Sequence, residues 1–115
     1  MDLQRTQFAV ISKKQNDQIR QIFLTWLNNF PSQHTRRNYE ISFRLFLHFL
    51  NENHGRIKSF DEIRPLMVSS FRDFLKSQGK SNKTINRHLA VLSSFFGTLV
   101  AEQQIRFNPV VCKRP

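Results

Sequence analysis

Three glycines and four prolines are all that this chain of 115 residues carries to interrupt a helix. The stretches between them place apolar residues at three- and four-residue steps, the spacing of amphipathic helices. A β-sandwich of this length needs many more turn residues. The sequence therefore predicts an all-α fold, a compact bundle of four to five helices joined by short loops. With 39% hydrophobic residues and 12 Phe, the chain can bury a core without disulfides or metal. A disordered basic tail would be poor in aromatics.

The first helical pattern runs from about Asp17 to Phe30, with Ile19, Ile22, Phe23, Trp26, Leu27 and Phe30 on its apolar side. Pro31 cannot continue it. The second runs from about Gln33 to Asn53, with Ser32 as its cap. At roughly 100° per residue, Tyr39, Phe43, Phe46, Leu47 and Leu50 share one face, and Arg37, Arg44 and His48 the opposite one. Gly55 reads as a C-terminal signal. Ser59 to Glu62 fits a Ser-x-x-Glu capping box on a single turn. The third helix starts near Pro65, carries Met67, Phe71, Phe74 and Leu75, and closes at Gly79. The fourth runs from about Asn82 to Gln104 behind Ser81. Its apolar face is Ile85, Leu89, Leu92, Phe96, Leu99 and Val100. Its other face begins with Lys83 and Arg87 and then turns small, at Ala90, Ser94 and Gly97. That small stripe suits either a close phosphate backbone or close packing on another helix.

The domain division expected is an N-terminal arm over residues 1–16, a helical core over 17–107, and the start of a linker over 108–115, where Asn108-Pro109 ends the helical part. No run of about 18 apolar residues and no apolar signal core occur, so neither a membrane span nor a secretory leader is expected. One cysteine, Cys112, excludes an internal disulfide framework and fits a reducing compartment.

Enzymatic chemistry finds little support. The eight carboxylates are scattered, and Asp61 and Glu62 are explained by capping. There is no Gly-rich phosphate loop and no G-x-S-x-G. The histidines, His34, His48, His54 and His88, are not spaced for a metal, and clustered Cys and His are what zinc requires. No catalytic residue, metal or cofactor is expected. Charge is the stronger signal. Eighteen Lys and Arg against eight Asp and Glu give +10, an electrostatic footprint for a polyanion. The cations gather at two helix starts, His34-Thr35-Arg36-Arg37-Asn38 and Ser81-Asn82-Lys83-Thr84-Ile85-Asn86-Arg87-His88. Free N–H groups there suit phosphate, while Arg and Asn can fork onto guanine and adenine.

These residues carry a resemblance. Ser32-x-His34-Thr35-Arg36-Arg37-Asn38-Tyr39 leads into Phe43, Phe46 and Phe49. Asp61-Glu62-Ile63 follows, then Ser81 to Leu89, Leu92 to Phe96, and Asn108-Pro109. In order and spacing, over about residues 17–115, the chain resembles the N-terminal core-binding, SAM-like domain of tyrosine recombinases, or phage integrases. The resemblance implies half of a clamp around double-stranded DNA, with the second and fourth helices near the major groove. It implies DNA contacts by Thr35, Arg37 and Asn38, with Arg36 in the same basic turn, and by Lys83, Thr84, Asn86 and Arg87. Arg44 and His48 continue the face, and His88 borders the core side and is read as structural. Thr35 and Thr84 sit off the face, so their reading is capping or a backbone contact.

The family's strand exchange resides in a separate C-terminal domain, so this part alone is expected to bind DNA without cutting it. Tyr39 is read as a core aromatic. The implied partners are duplex DNA, the catalytic domain of the parent recombinase and other recombinase protomers. The implied setting is the cytoplasm and nucleoid of a bacterium, phage or mobile element. Two other readings remain at this point: a helical protein–protein interaction bundle, and a helix-turn-helix regulator built on the short connection between the third and fourth helices.

Overall fold

The hydroxyl of Ser32 accepts a hydrogen bond from the Thr35 backbone N–H at 3.3 Å, and a 21-residue helix begins there. Local chemistry of this kind sets most of the boundaries in the computed structural model, which describes residues 13–55, 57 and 59–115, with side chains from residue 17 onward. The helices are α1 (Lys13–Leu27), α2 (Gln33–Asn53), α3 (Pro65–Ser77) and α4 (Asn82–Ala101), with a 3-10 turn at Phe60–Glu62 before α3. No strand occurs among the described residues, and the fold is the all-α bundle expected.

The capping box is formed: Ser59 Oγ accepts from the Asp61 N–H at 3.2 Å, and the Glu62 carboxylate accepts from the Ser59 N–H at 2.8 Å. Pro65 opens α3. Past its end, Gly79 takes φ +79° and Lys80 N–H returns to the Leu75 carbonyl at 3.1 Å. That is the left-handed cap for which glycine is suited.

Two boundaries differ from the sequence reading. Helix α1 already includes residues 13–16, assigned above to the arm, and stops at Leu27. There Asn29 and Phe30 bond back three residues, to Trp26 and Leu27, in tight turns rather than helix. Residues 1–12 of the expected arm lie outside the described residues. Helix α4 stops at Ala101 instead of Gln104. Gln103 adopts φ +59°, its N–H bonds to the Val100 carbonyl, and Gln104 N–H bonds to that of Leu99 at 2.9 Å. A non-glycine residue therefore occupies the left-handed position of this cap.

Helix α4 packs on all three other helices, and α2 also on α3. The core between them is aromatic. Phe23, Phe43, Phe46, Phe71, Phe95 and Phe96 are fully buried. Phe95 meets Phe43 edge-on with centroids 4.8 Å apart and Phe23 edge-on at 5.2 Å. Phe46 bridges Phe71 at 5.2 Å and Phe96 at 6.0 Å. Edge-to-face geometry sets the positive ring edge against the negative face, worth about 0.5–1.5 kcal/mol per pair beyond area burial.

The segment after α4 is tied down. Asn108 donates to the Ser93 carbonyl at 2.9 Å and accepts from the Val110 N–H at 3.0 Å. Pro109 is buried, and Val110 and Cys112 pack against the core. The segment read from its lack of period as the start of a linker lies docked along the bundle. No described helix is long and apolar enough to cross a membrane.

Candidate nucleic-acid interface

The start of α2 sorts its polar residues into two groups. Thr35 is half-buried and contributes its backbone N–H to the Ser32 cap. Arg36 turns back, its guanidinium donating to the Phe30 carbonyl, and so ties this helix to the end of α1. Asn38 Nδ2 lies 3.2 Å from His34 Nε2. Arg37 and, two turns on, Arg44 are exposed. Arg37 borders a shallow cavity of about 230 Å³ shared with Gln33, Arg36 and Glu40.

The start of α4 repeats the arrangement. Ser81 Oγ accepts from the Thr84 N–H at 3.2 Å and donates to Thr84 Oγ1 at 3.1 Å, which assigns Thr84 to the cap. Lys83 and Arg87 are exposed. Asn86 is half-buried and donates to the Pro115 carbonyl at 2.9 Å. Its Oδ1 is buried without a hydrogen-bond partner among the described residues.

Four predicted cations thus stand out in solvent, Arg37, Arg44, Lys83 and Arg87, and none makes an ion pair among the described residues. Neither helix has an acid in its first turn. Cations there oppose the helix dipole at a cost of a few tenths of a kcal/mol, about 0.3–1 kcal/mol at most on an exposed surface. They also add to the positive field of the free N–H groups, which attracts anions.

The two helices meet at a buried polar junction. Ser42 Oγ lies 2.7 Å from His88 Nδ1, and both residues are buried. Burial holds the imidazole below its ordinary pKa of 6.5, and the positive charges of Arg87 and Lys80 push it further down. His88 is the structural histidine anticipated from its place beside the core. Its partner was missed; the available signal was a serine between Tyr39 and Phe43 on the buried side of α2.

Tyr39 is half-buried, stacked on Trp26 at 5.5 Å and edge-on to Phe30 at 4.8 Å. The small stripe of α4 is partly used in packing. Ser94 accepts from the Trp26 indole N–H at 3.3 Å, and a Cβ at Gly97 would meet Asn108 Nδ2 at 3.8 Å. Ala90 remains exposed.

Sequence reading also missed a second basic cleft of about 340 Å³, lined by Arg72, Asp73, Lys76, Lys113, Arg114 and Pro115. Arg72 donates there to the Lys113 carbonyl at 2.9 Å. The one signal for it was the Lys113-Arg114 pair in a segment without period. No group of three or more His, Cys, Asp or Glu is placed to hold a metal among the described residues.

The family model for the phage integrase N-terminal SAM-like domain matches residues 23–103. The tyrosine recombinase XerC of Halalkalibacterium halodurans is 34% identical over 97 residues, covering 83% of this chain and 31% of that protein. The tyrosine recombinase XerD of Oceanobacillus iheyensis is 32% identical over 78 residues, covering 68% of this chain and 26% of that protein. The chain thus spans less than a third of the length of these relatives. No solved structure matches it. With four helices in the expected order and a family match across α2, α3 and α4, the chain belongs to the phage integrase N-terminal SAM-like domains, the N-terminal domains of tyrosine recombinases.

Proposed function

We propose that this chain binds double-stranded DNA as the non-catalytic, core-binding part of a tyrosine recombinase and serves DNA integration or recombination. The observation that carries the reading is the set of exposed cations without ion pairs on two helices joined at their flanks, Arg37 and Arg44 on α2 and Lys83 and Arg87 on α4. Phosphates neutralised by such side chains release condensed counterions, and this term supplies most non-specific affinity. Family membership favours a recombinase part over an unrelated helix-turn-helix regulator or an interaction bundle.

In this reading strand cleavage belongs to a catalytic domain of the parent protein. The partners are that domain, DNA and other protomers on the DNA, in the cytoplasm at the chromosome. Arg37, Arg44, Lys83 and Arg87 contact the phosphates, and a guanidinium can fork onto two phosphate oxygens. Thr35 and Thr84 serve the caps of their helices, and Arg36, Asn38 and Asn86 each have a hydrogen bond within the protein beside any contact to DNA.

The test is fluorescence anisotropy with a short duplex for the wild type and for Arg37→Gln/Arg87→Gln. Loss of two phosphate contacts should weaken binding and make the log–log salt slope shallower by about 2. A double variant that keeps its helical circular dichroism and binds DNA unchanged would show that DNA does not lie on this face.

A further inference from the structure

The Ser42–His88 contact spans 46 positions of sequence and joins the two helices that carry the exposed cations. Each partner is buried on the inner side of its helix. In sequence, Ser42 follows exposed Ile41 between Arg37 and Arg44, and His88 follows exposed Arg87. Around the junction the contact between α2 and α4 is apolar, with Phe43 against Phe95 and Phe96, and Phe46 against Phe96.

Apolar rings resist separation of two helices, but they tolerate small slides and rotations, because burial is non-directional. A hydrogen bond is directional, weakening steeply once its angle falls off. One buried polar pair in an apolar interface can therefore fix an alignment that the rings alone leave loose, as a single buried polar residue fixes register in a coiled coil. Its net contribution to stability is modest, because both groups lose water on burial. A well-packed apolar pair would hold the bundle together as well.

We propose that the Ser42–His88 hydrogen bond is an alignment device, and that both are positioning residues setting the relative placement of Arg37 and Arg44 on α2 and Lys83 and Arg87 on α4 for the phosphates of one duplex. The inference rests on the DNA-binding reading above. A purely structural role would show in stability alone; an alignment role shows in affinity when stability is held constant.

The experiment measures duplex affinity and urea stability for the wild type, Ser42→Ala, His88→Leu, the double variant Ser42→Ala/His88→Leu, and His88→Asn. An Asn amide presents a polar atom about where Nδ1 of histidine stands. Each single apolar variant leaves a buried polar group without its partner and should be less stable. The double variant removes both groups and should regain most of that stability. Its DNA affinity should nonetheless stay about three- to tenfold below wild type, the range expected for loss of one coupled hydrogen-bonded pair. His88→Asn should recover most of the affinity.

A double variant that binds within about twofold of wild type overturns the alignment role while leaving the DNA-binding reading intact. Should the double variant fail to fold, Ser42→Ala decides, since it deletes a single oxygen: unchanged affinity there overturns the proposal equally. A wild-type protein that does not bind DNA at low salt overturns both readings.

Discussion

Arg36 donates its guanidinium to the carbonyl of Phe30, the last residue of the turn that leaves α1. Its neighbour Arg37 is exposed on the outer face of α2. Two adjacent arginines in one basic turn therefore have different work. One closes the joint between two helices, and the other faces solvent with no ion pair among the described residues. The exposed basic face of α2 is consequently narrower than the basic composition alone suggests.

Stability should depend on the protonation of His88. Burial first, then the charges of Arg87 and Lys80, hold its folded-state pKa below the ordinary 6.5. Between those two values the unfolded chain binds more protons than the folded one, so acid favours unfolding. Stability should be full above about pH 6.5 and fall as the pH drops from there through the folded-state value. Urea unfolding between pH 7.5 and 5 checks this against His88→Asn, which should lack that component. Equal pH dependence in both proteins would contradict the assignment.

Gln103 to Gly should stabilise the protein. Gln103 sits at φ +59° in the cap of α4, where a side chain costs about 1 kcal/mol and glycine costs little. The expected gain is about 0.5–1 kcal/mol, offset in part by the greater freedom of glycine in the unfolded chain. A fall in melting temperature on Gln103→Gly would show that the glutamine side chain makes up the backbone cost.

Gly97 to Ala should stabilise it as well, for the opposite backbone reason. Gly97 is inside α4, and a Cβ there would make an ordinary contact with Asn108 Nδ2 at 3.8 Å. Alanine in a helix interior is favoured over glycine by about 0.5–1 kcal/mol. A loss of stability would mean that the segment after α4 packs on the helix more closely than this distance.

Phe46 is fully buried between Phe71 of α3 and Phe96 of α4. Its replacement by Ala should cost about 3–5 kcal/mol, the sum of lost transfer energy and the cavity left behind. Chemical denaturation reads this directly, and an unchanged midpoint would contradict the assigned faces of α2.

The readable parts of the fold were those whose chemistry is local. Ser32, Ser81 and the Ser59–Glu62 box announce helix starts because a hydroxyl or carboxylate satisfies an N–H two or three residues away. The exposure of Arg37, Arg44, Lys83 and Arg87 followed from the helical period, which sets them opposite the phenylalanine faces. The end of α4 was overrun because Gln103 takes a left-handed conformation that sequence reading associates with glycine. Arg36 and Asn86, read as DNA contacts, each also donate to a main-chain carbonyl of another segment. Those partners are tertiary, and no spacing rule reaches them. The same holds for Ser42 beside His88, and for Val110 and Cys112, whose burial comes from docking rather than from any period.

The central claim is that the exposed cations of α2 and α4 engage the DNA backbone. The direct measurement is duplex affinity as a function of salt concentration, by anisotropy, for the wild-type chain. With about four or five phosphates neutralised, log affinity should fall linearly with log salt at a slope of roughly −3.5 to −4.5. A slope near zero, or no binding at low salt, would contradict the account and leave this surface to a different partner.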